Sequence, residues 1–441
     1  MENAPSNAPV VSGEGLIRGI RRWDLVAIAI NGIIGAGIFG LPSKVFSLIG
    51  SYSLIAFVVC AAVVTLIILC FAEVGSRFSG TGGPYLYARE AFGPTVAFEI
   101  GWLMWLARLT AFAANCNLLV NYLGYFWPSA TDAIWRASII VFVVTLLALV
   151  NVLGVKQAAR LSNYFTIGKL IPIIIFIAAG LFFIQPQAFT LGAAPTTGAF
   201  SQSVLLLIYA FTGFEMASIP AGEIKNPQKH LPHALLVAIA VVATLYILIQ
   251  VVCVGTLPEL AQSQKPLADA GFRFLGAAGG AIISAGAIIS ITGNLNILLL
   301  SGSRIPFAFA EQRQLPSIIA KVHQRFFTPH VAIIITAAVM MVMTLKSSFV
   351  AALTISAIAR LVTYGATCLS LPVLRRRADA PEAQFHLPGG TIIAILSLVL
   401  AAWLLANSTL KEAIVAAIAA AVGLLIYFAY RFAAPKERST N

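Results

Sequence analysis

At 441 residues the chain is long enough for two or three soluble domains, but 59% of it is hydrophobic and only 10% is charged. That balance excludes the soluble class and points to a polytopic helical membrane protein. A net charge of +12 suggests a nucleic-acid partner only until its placement is seen, because the basic residues gather at alternate ends of about twelve apolar stretches.

In chain order the predicted helices lie near 24–49, 52–76, 95–126, 135–155, 161–184 and 200–221. The second set lies near 233–256, 276–303, 329–346, 348–373, 390–409 and 411–432. The alternating pattern of an outer-membrane barrel is absent. With the N-terminus inside, the inner segments take most of the Lys and Arg, among them Arg18, Arg21, Arg22, Arg375, Arg376 and Arg377. The outer segments hold Arg136, Lys265, Arg273, Lys346 and Lys411. This bias predicts a multi-pass protein of the cell membrane with cytoplasmic tails at 1–22 and 433–441. The segment 304–323 mixes charged and apolar residues and is expected to lie along the cytoplasmic surface.

The first predicted helix reads VAIAINGIIGAGIFGLPSKVFSLIG over 26–50. Gly32, Gly35, Gly37 and Gly40 crowd its centre, where each glycine weakens a helix by about 1 kcal/mol. A span built only to cross would not carry that load, so the stretch predicts two half-helices meeting near Gly35, Ala36 and Gly37. Irregular backbone at that depth is tolerated where it lines a cavity. The amides of Ile34, Gly35, Ala36 and Gly37 would then face a small anionic group such as a carboxylate.

A second interruption falls five helices later, in LLLIYAFTGFEMASIP over 205–220, with Gly213 and Glu215 at its middle. Carbonyls freed near Ala210, Phe211, Thr212 and Gly213 would accept from an ammonium. Broken helices in the first and sixth places are the mark of two inverted five-helix repeats, here 23–184 and 200–373, with the helices of 390–432 outside them. The fold class expected is all-α, with twelve spans and a 5+5 inverted repeat.

Several motifs together carry a family resemblance. They are NGIIGAGIFGLP (31–42), AEVGSRFSGTGGPYLYAREAFG (72–93), NVLGVK (151–156), YAFTGFE (209–215) and AGEIKNPQKHLPHA (221–234), followed by 302–316. In order and spacing they resemble the amino acid–polyamine–organocation (APC) superfamily from about residue 18 to 375. The resemblance implies the leucine-transporter fold, a central amino-acid site and alternating access. It also places Arg108, Phe112 and Asn115 along the substrate pocket, and Tyr209 where the arginine/agmatine antiporter of the superfamily has a gating tryptophan.

Arg108, Glu215 and Arg360 all fall at mid-span, and charge at that depth should face the interior or a wet cavity. Ser356, Arg360 and Tyr364, spaced i, i+4 and i+8, share one helix face toward the same site. Glu215 is open to two readings, a static buried pair with Arg108 or Arg360, or a gating role. Lys169 has no acidic neighbour in sequence and resembles the lysine that replaces sodium in sodium-independent members of the superfamily. It reads either as a group that gains and loses a proton or as a fixed strut.

Arg108, Arg360 and Lys169 outnumber Glu215, which predicts a neutral or acidic amino acid as cargo rather than lysine, arginine or a polyamine. The expected partners are that amino acid, protons and the lipid bilayer. Proton symport is the first reading, exchange of one amino acid for another the second. Glu223, Lys225, Lys229 and Arg77 are candidates for inner ion pairs. An enzyme is not expected: the five histidines lie at helix ends or in loops without metal-ligand spacing, and the five cysteines sit in apolar segments. No metal or cofactor is predicted.

Overall fold

The computed structural model describes residues 20–433 apart from 81, 154–157, 220 and 222–223. Glu223 and both tails beyond those limits therefore lie outside the described residues. The chain opens with α1 (Arg22–Ile33), α2 (Gly37–Ile49), α3 (Ser53–Gly75), α4 (Pro84–Phe92) and α5 (Pro94–Leu123). Then come α6 (Ala133–Leu153), α7 (Ala158–Gly180), α8 (Thr197–Phe211), α9 (Pro227–Thr256) and α10 (Pro266–Glu311). It closes with α11 (His330–Lys346), α12 (Phe349–Arg376), α13 (Gly390–Ala406) and α14 (Leu410–Ala433). Among the described residues eight helical stretches are long and apolar enough to cross a membrane, and three shorter apolar helices stand beside them. A bridge between Ile20 and Ile224 ties the start of the chain to the segment before α9.

Local chemistry sets the helix starts. Proline opens α4, α5, α9 and α10, where its missing N–H costs nothing and its fixed φ suits the first turn. The hydroxyls of Thr196 and Ser348 cap α8 and α12 by accepting from the amides of Ala199 and Ala351. α5 is the central pillar and packs most extensively against α12 and α10. α6 and α14 instead turn large apolar side chains outward, among them Ile134, Phe142, Leu425 and Phe432, as a lipid-facing surface requires.

Each predicted helix overlaps an observed one, and three boundaries differ. The gap between the helices predicted over 52–76 and 95–126 contains α4, and the gap before the one predicted over 276–303 contains the first part of α10, which runs from Pro266 and bends at Gly276 with φ 64°. α10 also continues to Glu311, so the first part of 304–323 belongs to a long helix rather than to a surface segment. Its apolar residues Ile305 and Phe309 pack inward, and that burial overrides the charge-mixed look of the sequence.

At the terminus-side end, Glu73 of α3 is fully buried and receives both arms of Arg375 from α12, each at 2.7 Å. Arg77 and the Leu387 amide complete its partners. Arg77, expected in an inner ion pair, thus has Glu73 as its acid and also donates to the Pro381 carbonyl.

Candidate functional site

The site is built from two interruptions. α1 stops at Ile33, and Ile34 turns out of the helix at φ −73°, ψ 91°. α8 stops at Phe211, and Gly213 takes φ 110°, a left-handed value suited to glycine, before the tight turn Phe214–Ser218. The interruptions cross at their glycines. A Cβ on Gly32 would fall 2.6 Å from the Gly213 carbonyl oxygen, and one on Gly37 would fall 2.7 Å from the Ala210 Cα. Only residues without side chains allow the two backbones to approach so closely.

Between them lies a cavity of about 30 Å³, bounded by Gly35, Gly37, Asn115, Tyr209, Asn294 and Arg360. Among the described residues the amides of Gly35 and Ala36 donate to no main-chain acceptor, and the first amides of α2 are orphaned by helix geometry. This is an anion-favouring edge. Across it, the Ala210 carbonyl accepts from Tyr246 and the Gly213 carbonyl from the Met216 amide. Of the residues of this interruption that line the cavity, that leaves the Thr212 carbonyl as the acceptor available to a cation.

Two further groups stabilise the interruption in α1. Lys169 of α7, buried, donates to the carbonyls of Asn31 and Ile34 at 2.8 and 2.7 Å. The Tyr246 hydroxyl of α9 reaches the Ile33 carbonyl at 3.1 Å and that of Ala210 at 3.2 Å, touching both interruptions at once. A cation and a hydroxyl at a helix C-terminus satisfy the negative end of its dipole. The Phe211 ring packs edge-on against Tyr246, with centroids 5.1 Å apart.

Glu215 is held from three sides. Arg360 donates to Oε1, the Tyr364 hydroxyl to Oε2 at 2.7 Å, and the Gly213 amide to Oε2 at 2.9 Å. The carboxylate thus pins the turn to α12, where the Phe71 ring meets those of Phe214 and Tyr364 edge to face and these two tilt against each other. Ser356 faces the same way but donates to the Ala107 carbonyl of α5 at 2.9 Å. On the opposite wall the Tyr209 hydroxyl bridges to Asn115 Oδ1 at 2.5 Å, joining α8 to α5 across the cavity.

Of the residues expected at the pocket, Ile34, Arg108, Phe112, Ala210, Phe211 and Ser356 do not line it. The Ile34 amide continues the helix by donating to the Ile30 carbonyl. Phe112 is wholly buried beside the lining face, which α5 supplies through Ala111 and Asn115. Arg108 reaches Ser301 Oγ and the Met104 carbonyl, each at 3.1 Å, and borders a separate cavity. Side chains on a helix lean toward its N-terminus, so the guanidinium sits a turn below its own Cα. Of the two partners considered for Glu215, Arg360 forms the ion pair. Asn294 and Tyr246 are functional candidates that the sequence reading missed. A polar amide at mid-span marks Asn294 by the depth argument applied to the charges, whereas nothing local distinguishes Tyr246 from a core aromatic.

Comparison with known proteins agrees with this geometry. The family profile described as amino acid permease matches residues 20–427. The chain is 28% identical to the methylthioribose transporter of Bacillus subtilis (strain 168), over 95% of this chain and 94% of that protein. It is 28% identical to the serine/threonine exchanger SteT of the same organism, over 93% of this chain and 95% of that protein. The branched-chain amino acid permease BcaP, again from Bacillus subtilis (strain 168), is 27% identical over 95% of this chain and 94% of its own. Two broken helices joined at their glycines and a family match along nearly the whole length lead to one statement: the chain belongs to the amino acid permease family and is a membrane transporter, not an enzyme.

Proposed function

We propose that the chain is a secondary active amino acid transporter working by alternating access, sodium-independent and proton-coupled, with a neutral or acidic amino acid as cargo. One observation carries this reading, the crossing of Gly32 and Gly213 beside a cavity with the free amides of Gly35 and Ala36 on one side and the free carbonyl of Thr212 on the other. A zwitterionic head group needs both. The cargo class follows from charge: Arg360 is neutralised by Glu215, while Lys169 and Arg108 bond neutral oxygens. An uncompensated positive interior disfavours a cationic cargo.

In this reading twelve spans form repeats over 23–184 and 200–373 with 390–432 outside them, and both tails are cytoplasmic in the cell membrane. In the same reading Lys169, whose ammonium bonds the carbonyls at the end of α1, is the group that gains and loses the coupled proton.

Exchange is the second reading, favoured by similarity to a protein named as a serine/threonine exchanger. Purified protein in liposomes separates the two. Symport predicts uptake into empty vesicles driven by an inward proton gradient and indifferent to replacing sodium with choline. Uptake that requires internal amino acid and ignores pH supports exchange. Strict sodium dependence, or strong transport of arginine with none of small neutral amino acids or glutamate, would overturn the proposal.

A further inference from the structure

A second cavity, of about 700 Å³, lies along two of the helices that line the central pocket, α5 and α10, but nearer the end where the chain begins. The elements supply successive levels. α5 gives Asn115 to the pocket and Met104 and Arg108 to the cavity; α10 gives Asn294 to the pocket and Ile297 and Arg304 to the cavity. Arg108 lies at the level between the two.

The chemistry of this cavity differs from that of the pocket. Three arginines border it, Arg89, Arg108 and Arg304, and among the described residues no carboxylate does. Arg108 is 4% exposed and its hydrogen bonds go to neutral oxygens. Arg304 likewise bonds the Leu300 carbonyl and Ser303 Oγ. The rest of the wall is mainly apolar, including Met104, Ile297 and Ile305. The acid that acts on Arg108 from a distance, Glu215, is already paired with Arg360. A buried guanidinium whose hydrogen bonds reach only neutral groups is costly, and a room of this volume suits a small organic ligand. With cations and apolar residues sharing the wall and, among the described residues, no acid for an ammonium, the complementary ligand is an anion with an apolar body.

We propose that this cavity is a second ligand site, separate from the central pocket, that binds an apolar monocarboxylate lacking an amine, with its carboxylate held between Arg108 and Arg304. The inference rests on the transport reading only for its sidedness, which places the site on the cytoplasmic route out of the central pocket. Binding itself does not require transport, so its test stands apart from that of the cargo.

The test uses the full chain purified in detergent and follows thermal unfolding with 4-methylpentanoate, the carbon frame of leucine without its ammonium. Saturating ligand is expected to raise Tm by about 2 °C or more, while 4-methylpentylamine, with the charge reversed, leaves it unchanged. Arg108→Gln should abolish the shift and Arg304→Gln should reduce it, whereas Asn115→Ala, in the central pocket, should keep it. Should Arg108→Gln fail to fold, Arg304→Gln against Asn115→Ala decides. A shift equal for acid and amine, one lost in Asn115→Ala but kept in the arginine variants, or none at tens of millimolar would overturn the proposal. Stabilisation by oleate but not by 4-methylpentanoate would overturn the small-molecule assignment in favour of a lipid acid.

Discussion

The Lys169 ammonium lies 2.7 Å from the Ile34 carbonyl and 2.8 Å from that of Asn31, so one side chain of α7 closes the end of α1 where the helix breaks. Lys169→Gln keeps a donor and removes the charge. It is expected to slow proton-driven uptake by about tenfold, a change worth roughly 1.4 kcal/mol in barrier, while counterflow stays within about threefold. Rates of both processes in the same liposomes check this. Equal losses would identify Lys169 as a strut.

Glu215 and Arg360 form a buried pair. Glu215→Gln strands the arginine, and breaking one side of such a pair costs about 3–5 kcal/mol. A clear fall in Tm is expected, read by thermal unfolding in detergent. Adding Arg360→Gln should restore part of it, because no charge is then left uncompensated. A double variant as unstable as the sum of the singles would refute the pairing argument.

The 2.5 Å bond from Tyr209 to Asn115 is the link between α8 and α5 across the cavity. Tyr209→Phe is expected to raise the half-saturating amino acid concentration by about threefold to tenfold, the worth of one buried hydrogen bond. Asn115→Ala should do the same, and the double variant no worse than either. Initial uptake rates over a range of concentrations provide the measurement.

Gly213→Ala meets two obstacles, a φ of 110° and the Gly32 backbone beside it. The variant should lose transport. Gly198→Ala, whose Cβ would meet nothing within 4 Å, should transport normally and be as stable or slightly more so. Side-by-side uptake and melting curves give the comparison.

What the sequence made legible follows from period, depth and glycine. The interruption at Ile34–Ala36 was readable because four glycines in an apolar stretch have few other uses, and Gly213 with Glu215 gave the second. The i, i+4, i+8 spacing brought Ser356, Arg360 and Tyr364 to one face, though Ser356 spends its hydroxyl on Ala107. Arg108 was placed at the right height by its Cα and in the wrong cavity by its side chain, because residue counting ignores the lean of helical side chains. Tyr246 was invisible, since a hydroxyl that closes two distant carbonyls is known only once α1, α8 and α9 are brought together.

The Glu73–Arg375 bond carries a consequence for how the molecule would cycle. Separating α3 from α12 at that end would expose a carboxylate whose partners come from both helices and from the segment leading into α13. Those helices are therefore expected to stay locked as one block. Any rocking is then expected to pivot at the broken segments beside Gly32 and Gly213, which would bend while the frame holds still.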